Sequence, residues 1–288
     1  MAQLLVLAAL SGLVDPLQSS FPGKTSAVCR FVIYITAMGL VMWDLQGYLE
    51  LSSQTMTQMV DFVRGVFPVL VTLMTALGGL ASASVFQPAF AMIAGLVSNV
   101  FGSVLMPLLL VAGVMSMLQH MSDKVRLANA ITLLKSTISW IIGCVCTLYL
   151  GVLALKGMVA GSHDGLVART AQYAIGTFVP VVGSMFSNSA ELLTGCSVLV
   201  KNAVGVAGLA GVAVVCLLPA LRIVIGMMMY KLVAALAEPL GDTLLANAMN
   251  DLSGILRLLF VALISVGLML FITITLLLGT GSLRAAIP

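Results

Sequence analysis

Between Ile255 and Leu278 the chain carries a single charged side chain, Arg257. At about 1.5 Å of rise per residue, a helix of that length crosses the roughly 30 Å of hydrocarbon in a bilayer. No water reaches backbone at that depth, so its N–H and C=O groups must bond to each other, which an uninterrupted apolar run achieves as a helix. The rest of the sequence fits the same solvent. It is 61% hydrophobic and 8% charged with a mean hydropathy of +1.17, against about 25% charged residues in a soluble domain. The expected class is an all-α polytopic membrane protein with no soluble domain of comparable size. A net charge of +3 without a basic run excludes a nucleic-acid surface.

Read in order, residues 1–14 make half a span. They lack the basic start and small-residue cleavage site of a signal peptide, so they read as the tail of a truncated span. Asp15–Lys24 is a loop, and Thr25–Trp43 is a span with Trp43 as an interface anchor. Asp44–Arg64, with Asp44, Glu50 and Asp61 against Arg64, reads as an acidic external loop. Apolar arms at 66–77 and 85–101 flank a small-residue turn at 78–84, and 102–118 leads to a basic loop at 120–135. A span at 136–155, a polar loop at 156–170 and a long span at 202–230 follow. The segment 231–254 is too polar to cross, and 255–278 is the last span. The positive-inside rule places 120–135 and 231–254 in the cytoplasm, and 44–64, 156–170 and the C-terminus outside.

One stretch resists this scheme. Ala168–Lys201 is apolar but broken by Pro180 and by GSMFSNS at 183–189. Its arms, about 172–182 and 190–200, would each reach roughly 16 Å as helices, half the hydrocarbon thickness. The expectation is a re-entrant hairpin, which survives at membrane depth only inside protein or against water. Phe178, Pro180, Gly183, Ser184, Asn188, Glu191 and Lys201 are therefore the pore or gate candidates. Glu191 either pairs with Lys201 or faces water; Lys201 and Arg222 at the boundaries also fit snorkelling.

The chain also echoes itself. Pro68 and Pro180 stand at the same offset as Pro107 and Pro219, and LANAITLL at 127–134 returns as LANAMNDL at 245–252. Both echoes place apolar residues at i, i+3, i+4 and i+7, the spacing of an amphipathic helix along the cytoplasmic interface. The expected architecture is two tandem parallel repeats. Each holds a re-entrant or short hairpin, an inward span, an interfacial helix and an outward span. The division is 1–64 for the N-terminal spans and external loop, 65–156 for repeat 1, 157–175 for an external loop, and 176–288 for repeat 2 with the tail.

Catalytic signals are absent. Ser162, His163 and Asp164 are consecutive and cannot form a relay in space. PLGD at 239–242 lacks a second carboxylate on a facing span, and no nucleotide or zinc-protease motif occurs. The five cysteines, Cys29, Cys144, Cys146, Cys196 and Cys216, contain no CxxC, so no catalytic, cofactor or metal residue is assigned. Two stripes of small residues at helical spacing, Gly157–Gly161–Gly165 and Ala203–Ala207–Gly211, fit close helix packing within the chain or a subunit interface.

Three segments, ARTAQYAIGTFVPVVG (168–183), VLVKNAVGVAGLAG (198–211) and YKLVAALAEPLGD (230–242), resemble the stage III sporulation protein AE family, and the similarity runs over essentially the whole chain. The resemblance implies a multi-pass component, in the mother-cell membrane around the forespore, of the channel or feeding tube joining the two cells. It implies as partners the other stage III sporulation A-series proteins, among them membrane members, ring-forming members and an ATPase, and the forespore protein Q complex. It supplies no catalytic residues and no cofactor. The function read at this stage is a conduit-forming or conduit-supporting homo-oligomer. The alternatives are a stand-alone small-molecule permease, or a structural anchor for the ATPase.

Overall fold

The computed structural model describes residues 23–76, 80–121, 127–178, 183–239 and 243–282; the side chains of 23–31, 33, 76, 80–83, 85, 89, 121, 155–195 and 280–282 lie outside the description. These residues form helices α1 (Gly23–Ala76), α2 (Leu80–Leu96), a π-helical stretch Val97–Leu105, α3 (Met106–Met121), α4 (Ala128–Phe178), α5 (Gly183–Ala237) and α6 (Thr243–Ser282). Among them, Tyr34–Thr75, Phe86–His120, Ala128–Ala154, Cys196–Ala237 and Thr243–Gly279 are long and apolar enough to cross a membrane. The chain is all-helical and polytopic, as its composition requires.

Several expected loops are helical. Asp44–Arg64 is the middle of α1, not an external loop. The reason is its second periodicity. Leu45, Leu49, Ser52, Met56, Met59, Val63, Phe67, Leu70 and Met74 recur every three or four residues and are all buried, while Glu50, Asp61 and Arg64 are exposed. The polar loop 156–170 lies inside α4. The eleven-residue arms are the ends of α4 and α5, two helices of 51 and 55 residues, and 183–189 forms the opening turns of α5. The short-arm argument for a re-entrant hairpin therefore fails; Pro180 and the rest of 179–182 lie outside the described residues. In the first repeat, residues 66–76 belong to α1 and 80–84 to α2. The two LANA echoes are not separate interfacial helices but the opening turns of α4 and α6. Residues 1–14 lie outside the described residues.

Prolines within these rods are accommodated locally. Pro68, Pro88 and Pro219 stand inside α1, α2 and α5, and Thr72 Oγ1 donates to the Pro68 carbonyl at 2.8 Å. Pro107 has no N–H, and its ring displaces the carbonyl of Ser103 from a regular turn. The π-helical widening of Val97–Leu105 comes immediately before it, one of the recognised ways a helix absorbs such a break.

The helices contribute to two compact units. The first gathers the described residues up to Thr55 with Val100–Gly143 and Leu217–Ile264; the second gathers Met56–Asn99, Cys144–Cys216 and the described residues from Ser265 onward. α6 supplies the core of each. Leu252, Ile255, Leu256, Leu259, Ala262 and Leu263 are fully buried in the first unit, as are Val266, Leu270, Ile274 and Leu277 in the second. Lipid tails are as apolar as these side chains, so close packing rather than escape from water must hold the helices together. Glycines create it. In the second unit, Phe62 fills the notch at Gly211, Leu278 the notch at Gly205, and Val66 Cγ1 lies 3.3 Å from where a Cβ at Gly208 would stand. Phe67 stacks on Phe90 at 4.7 Å. In the first unit, Leu45 fills Gly113, with Ile255 alongside.

On α5, Ala203 and Ala207 of the small-residue stripe are exposed, and close approach within the chain runs through Gly205, Gly208 and Gly211. Gly211→Ala is expected to lower stability by about 1–3 kcal/mol through overpacking. Phe62→Leu in the same chain should restore part of that loss in thermal unfolding of the purified protein.

Candidate functional site

The second unit contains a charge pair in a position that demands explanation. Gly267 lies midway along the apolar run 255–278. A Cβ there would stand 3.1 Å from Cys216 Sγ and 3.9 Å from Met59 Sδ, which puts Met59 of α1 level with the middle of α6. Asp61 follows two residues on, and Arg64 Nη1 donates to Asp61 Oδ1 at 2.9 Å with both side chains more than half exposed (58% and 56%). Gln58 beside them is exposed too. The same cross-section presents Val214, Leu268 and Phe271 to the outside. This level of the unit thus exposes both side chains suited to acyl chains and a charged pair. On the α1 residues of the first unit, exposed Gln46, Glu50 and Gln54 continue the polar character, with Gln54 Nε2 donating to Glu50 Oε1 at 3.2 Å.

Lys201 is the pore candidate whose side chain is described. It is buried, 1% exposed, and its Nζ donates to the carbonyl of Leu278 at 3.3 Å. Leu278 lies near the C-terminal end of α6, where unpaired carbonyls and the helix dipole attract a cation. Lys201 thus fastens α5 to the end of α6. Phe178 closes α4 and Gly183 opens α5; Ser184, Asn188 and Glu191 lie in the first turns of α5, and Gly157, Gly161 and Gly165 lie within α4. The side chains of all eight lie outside the described residues, as does Pro180 altogether. Tyr149 and Thr273 join α4 to α6 through a buried hydroxyl pair.

A polar cluster that the sequence did not announce ties three helices of the first unit. Lys135 Nζ donates to Asp251 Oδ1 at 2.8 Å, and His120 Nε2 lies 3.1 Å from Asp251 Oδ2. His120 closes α3, Lys135 lies early in α4 and Asp251 early in α6, so the segments 120–135 and 231–254, read as sharing one side, do meet. Residues so distant in sequence give no local signal. The clue was that Lys135 and Asp251 follow the two LANA echoes at similar distances. All three side chains are partly exposed, so water screens them and each bond is worth less than a buried one. A double-mutant cycle with Lys135→Met and Asp251→Asn is expected to give a coupling energy of about 1 kcal/mol, read from thermal or denaturant unfolding.

Among the described residues no group of histidine, cysteine and carboxylate side chains is arranged to hold a metal ion. What the described residues define is a multi-pass helical membrane protein with an exposed charge pair level with the middle of its apolar run. The family model described as stage III sporulation protein AE (spore_III_AE) matches residues 1–281, and the chain belongs to that family. It is 27% identical over 281 residues to stage III sporulation protein AE of Bacillus subtilis (strain 168), covering 97% of this chain and 70% of that relative. No solved structure matches.

Proposed function

We propose that this chain is a membrane-embedded subunit of the channel between mother cell and forespore. Several copies set the polar face of α1 around a shared aqueous path. The observation that carries this reading is the exposed Asp61–Arg64 pair level with Gly267. A charge at the bilayer centre costs about 2.5–3.5 kcal/mol even on insertion scales, and although Arg64 and Asp61 pair with each other, lipid solvates none of their remaining exposed donors and acceptors. Turned toward water, those groups are solvated. The alternation of exposed Gln58, Asp61 and Arg64 with buried Met59 and Val63 on one helix separates the two solvents.

The helix order supports a tandem plan in which α2–α3, with Pro107, corresponds to α5, with Pro219. Each is followed by a helix opened by Leu-Ala-Asn-Ala, α4 and α6. On this reading the chain sits in the mother-cell membrane. It assembles with the other stage III sporulation A-series proteins, including the ATPase and the ring-forming members, and with the forespore protein Q complex. Ser184, Asn188 and Glu191 then belong to a second part of the lining, at the start of α5.

Cysteine accessibility tests this directly. In a chain freed of its five native cysteines and expressed in sporulating cells, Gln58→Cys and Asp61→Cys are expected to react with a membrane-impermeant thiol reagent. Val214→Cys and Leu268→Cys stay inert. Unreactive cysteines at both 58 and 61 would remove the conduit reading. The same assay at 184, 188 and 191, with 163 as control, decides the second lining.

A further inference from the structure

Two phenols and a carboxylate lie on neighbouring turns of α1 and α5 in the first unit. The ring and hydroxyl of Tyr48 lie over the α5 backbone at Gly226, 2.5–2.6 Å from where a Cβ would stand, so any larger residue at 226 would expel it. Asp44 lies one helical turn before Tyr48 on α1, and Tyr230 one turn after Gly226 on α5. Helices that run in opposite directions bring those two turns together, and Asp44 and Tyr48 are both within electrostatic reach of Tyr230.

Tyr230 is fully buried, yet its hydroxyl has no hydrogen-bond partner. Asp44 is half-buried and has no ion-pair partner among the described residues. A buried hydroxyl normally finds a partner, and its absence costs about 1–3 kcal/mol. Elsewhere in the same unit, helical hydroxyls such as Ser52 and Thr55 take the carbonyl four residues back. A phenol cannot reach back in that way, so the Tyr230 oxygen depends on a partner from outside its own helix turn.

We propose that Asp44, Tyr48 and Tyr230 form a binding site for a hard monovalent cation, with sodium as the probe. Oxygen-only donors suit such ions. The carboxylate supplies the neutralising charge, and each phenol offers an oxygen lone pair to the ion. Water entering along the half-exposed side of Asp44 completes the shell. Gly226 keeps the Tyr48 oxygen against α5, which fixes the spacing between the two phenols. The site is separate from the exposed face of α1 that carries the conduit reading, and neither depends on the other.

Thermal unfolding of the purified full chain in detergent, at constant ionic strength in sodium, potassium or N-methylglucamine chloride, tests the assignment. The melting temperature is expected to rise by about 3 °C when sodium reaches roughly ten times its dissociation constant. That rise should vanish in Asp44→Asn and Tyr230→Phe and persist in Glu50→Gln. Tyr230→Phe keeps the buried ring, so it carries the test even where Asp44→Asn fails to fold. Equal melting temperatures in sodium and N-methylglucamine would mean that only a trapped water bridges these oxygens, and would overturn the proposal. So would a sodium response retained in Tyr230→Phe.

Discussion

The depth at which α1 carries charge governs the functional reading of this structure. Packing at Gly267 fixes that depth, because Met59 and Cys216 both close on it from neighbouring helices. A charged pair elsewhere on a surface helix would be a solvated face contributing little. Level with the centre of the most buried helix, the same pair separates two solvents. The exposed valines and leucines of α5 and α6 at that level make the contrast internal to one cross-section and independent of where a membrane boundary is drawn.

Close approach of backbones makes the bundle possible. Lipid competes on equal terms for apolar side chains, so Phe62 in the notch of Gly211 and Leu278 in that of Gly205 replace weak contacts with dense ones. Polar fastening is concentrated elsewhere. Asp251 gathers His120 and Lys135 in the first unit, while Lys201 and the Tyr149–Thr273 pair secure α6 in the second. Each polar fastener satisfies groups that would be costly if left unmet, and each joins helices far apart in sequence, which fixes which helix lies beside which.

The solvent class and the helical fold were legible because runs such as 255–278 have one physical solution in a bilayer. The connections were legible only in part. Charge and polarity make Asp44–Arg64 and Lys156–Thr170 read as loops, although in α1 the buried positions from Leu45 to Val63 already repeat at helical spacing. Counting charges weighs the exposed face, whereas periodicity weighs the buried one, and in a helix between two solvents the second measure is the informative one. The hairpin argument at 168–201 failed similarly, because Gly183 and the serines after it have turn chemistry but also suit the opening of a long helix. Lys201 was picked out as an anomalous charge and does occupy a buried place; its acceptor, a carbonyl near the end of α6, lies 77 residues away and had no trace in local sequence.

The widened turns before Pro107 have a consequence for how this sequence can vary. Removing one residue from an ordinary helix swings everything after it by about 100°, which here would carry Gly113 away from Leu45 and unseat α3. A stretch that already holds surplus backbone has slack to give up. Val97–Leu105 is therefore where a shortened natural variant could keep both flanking faces aligned, by tightening back to regular α-helical winding instead of turning its neighbours.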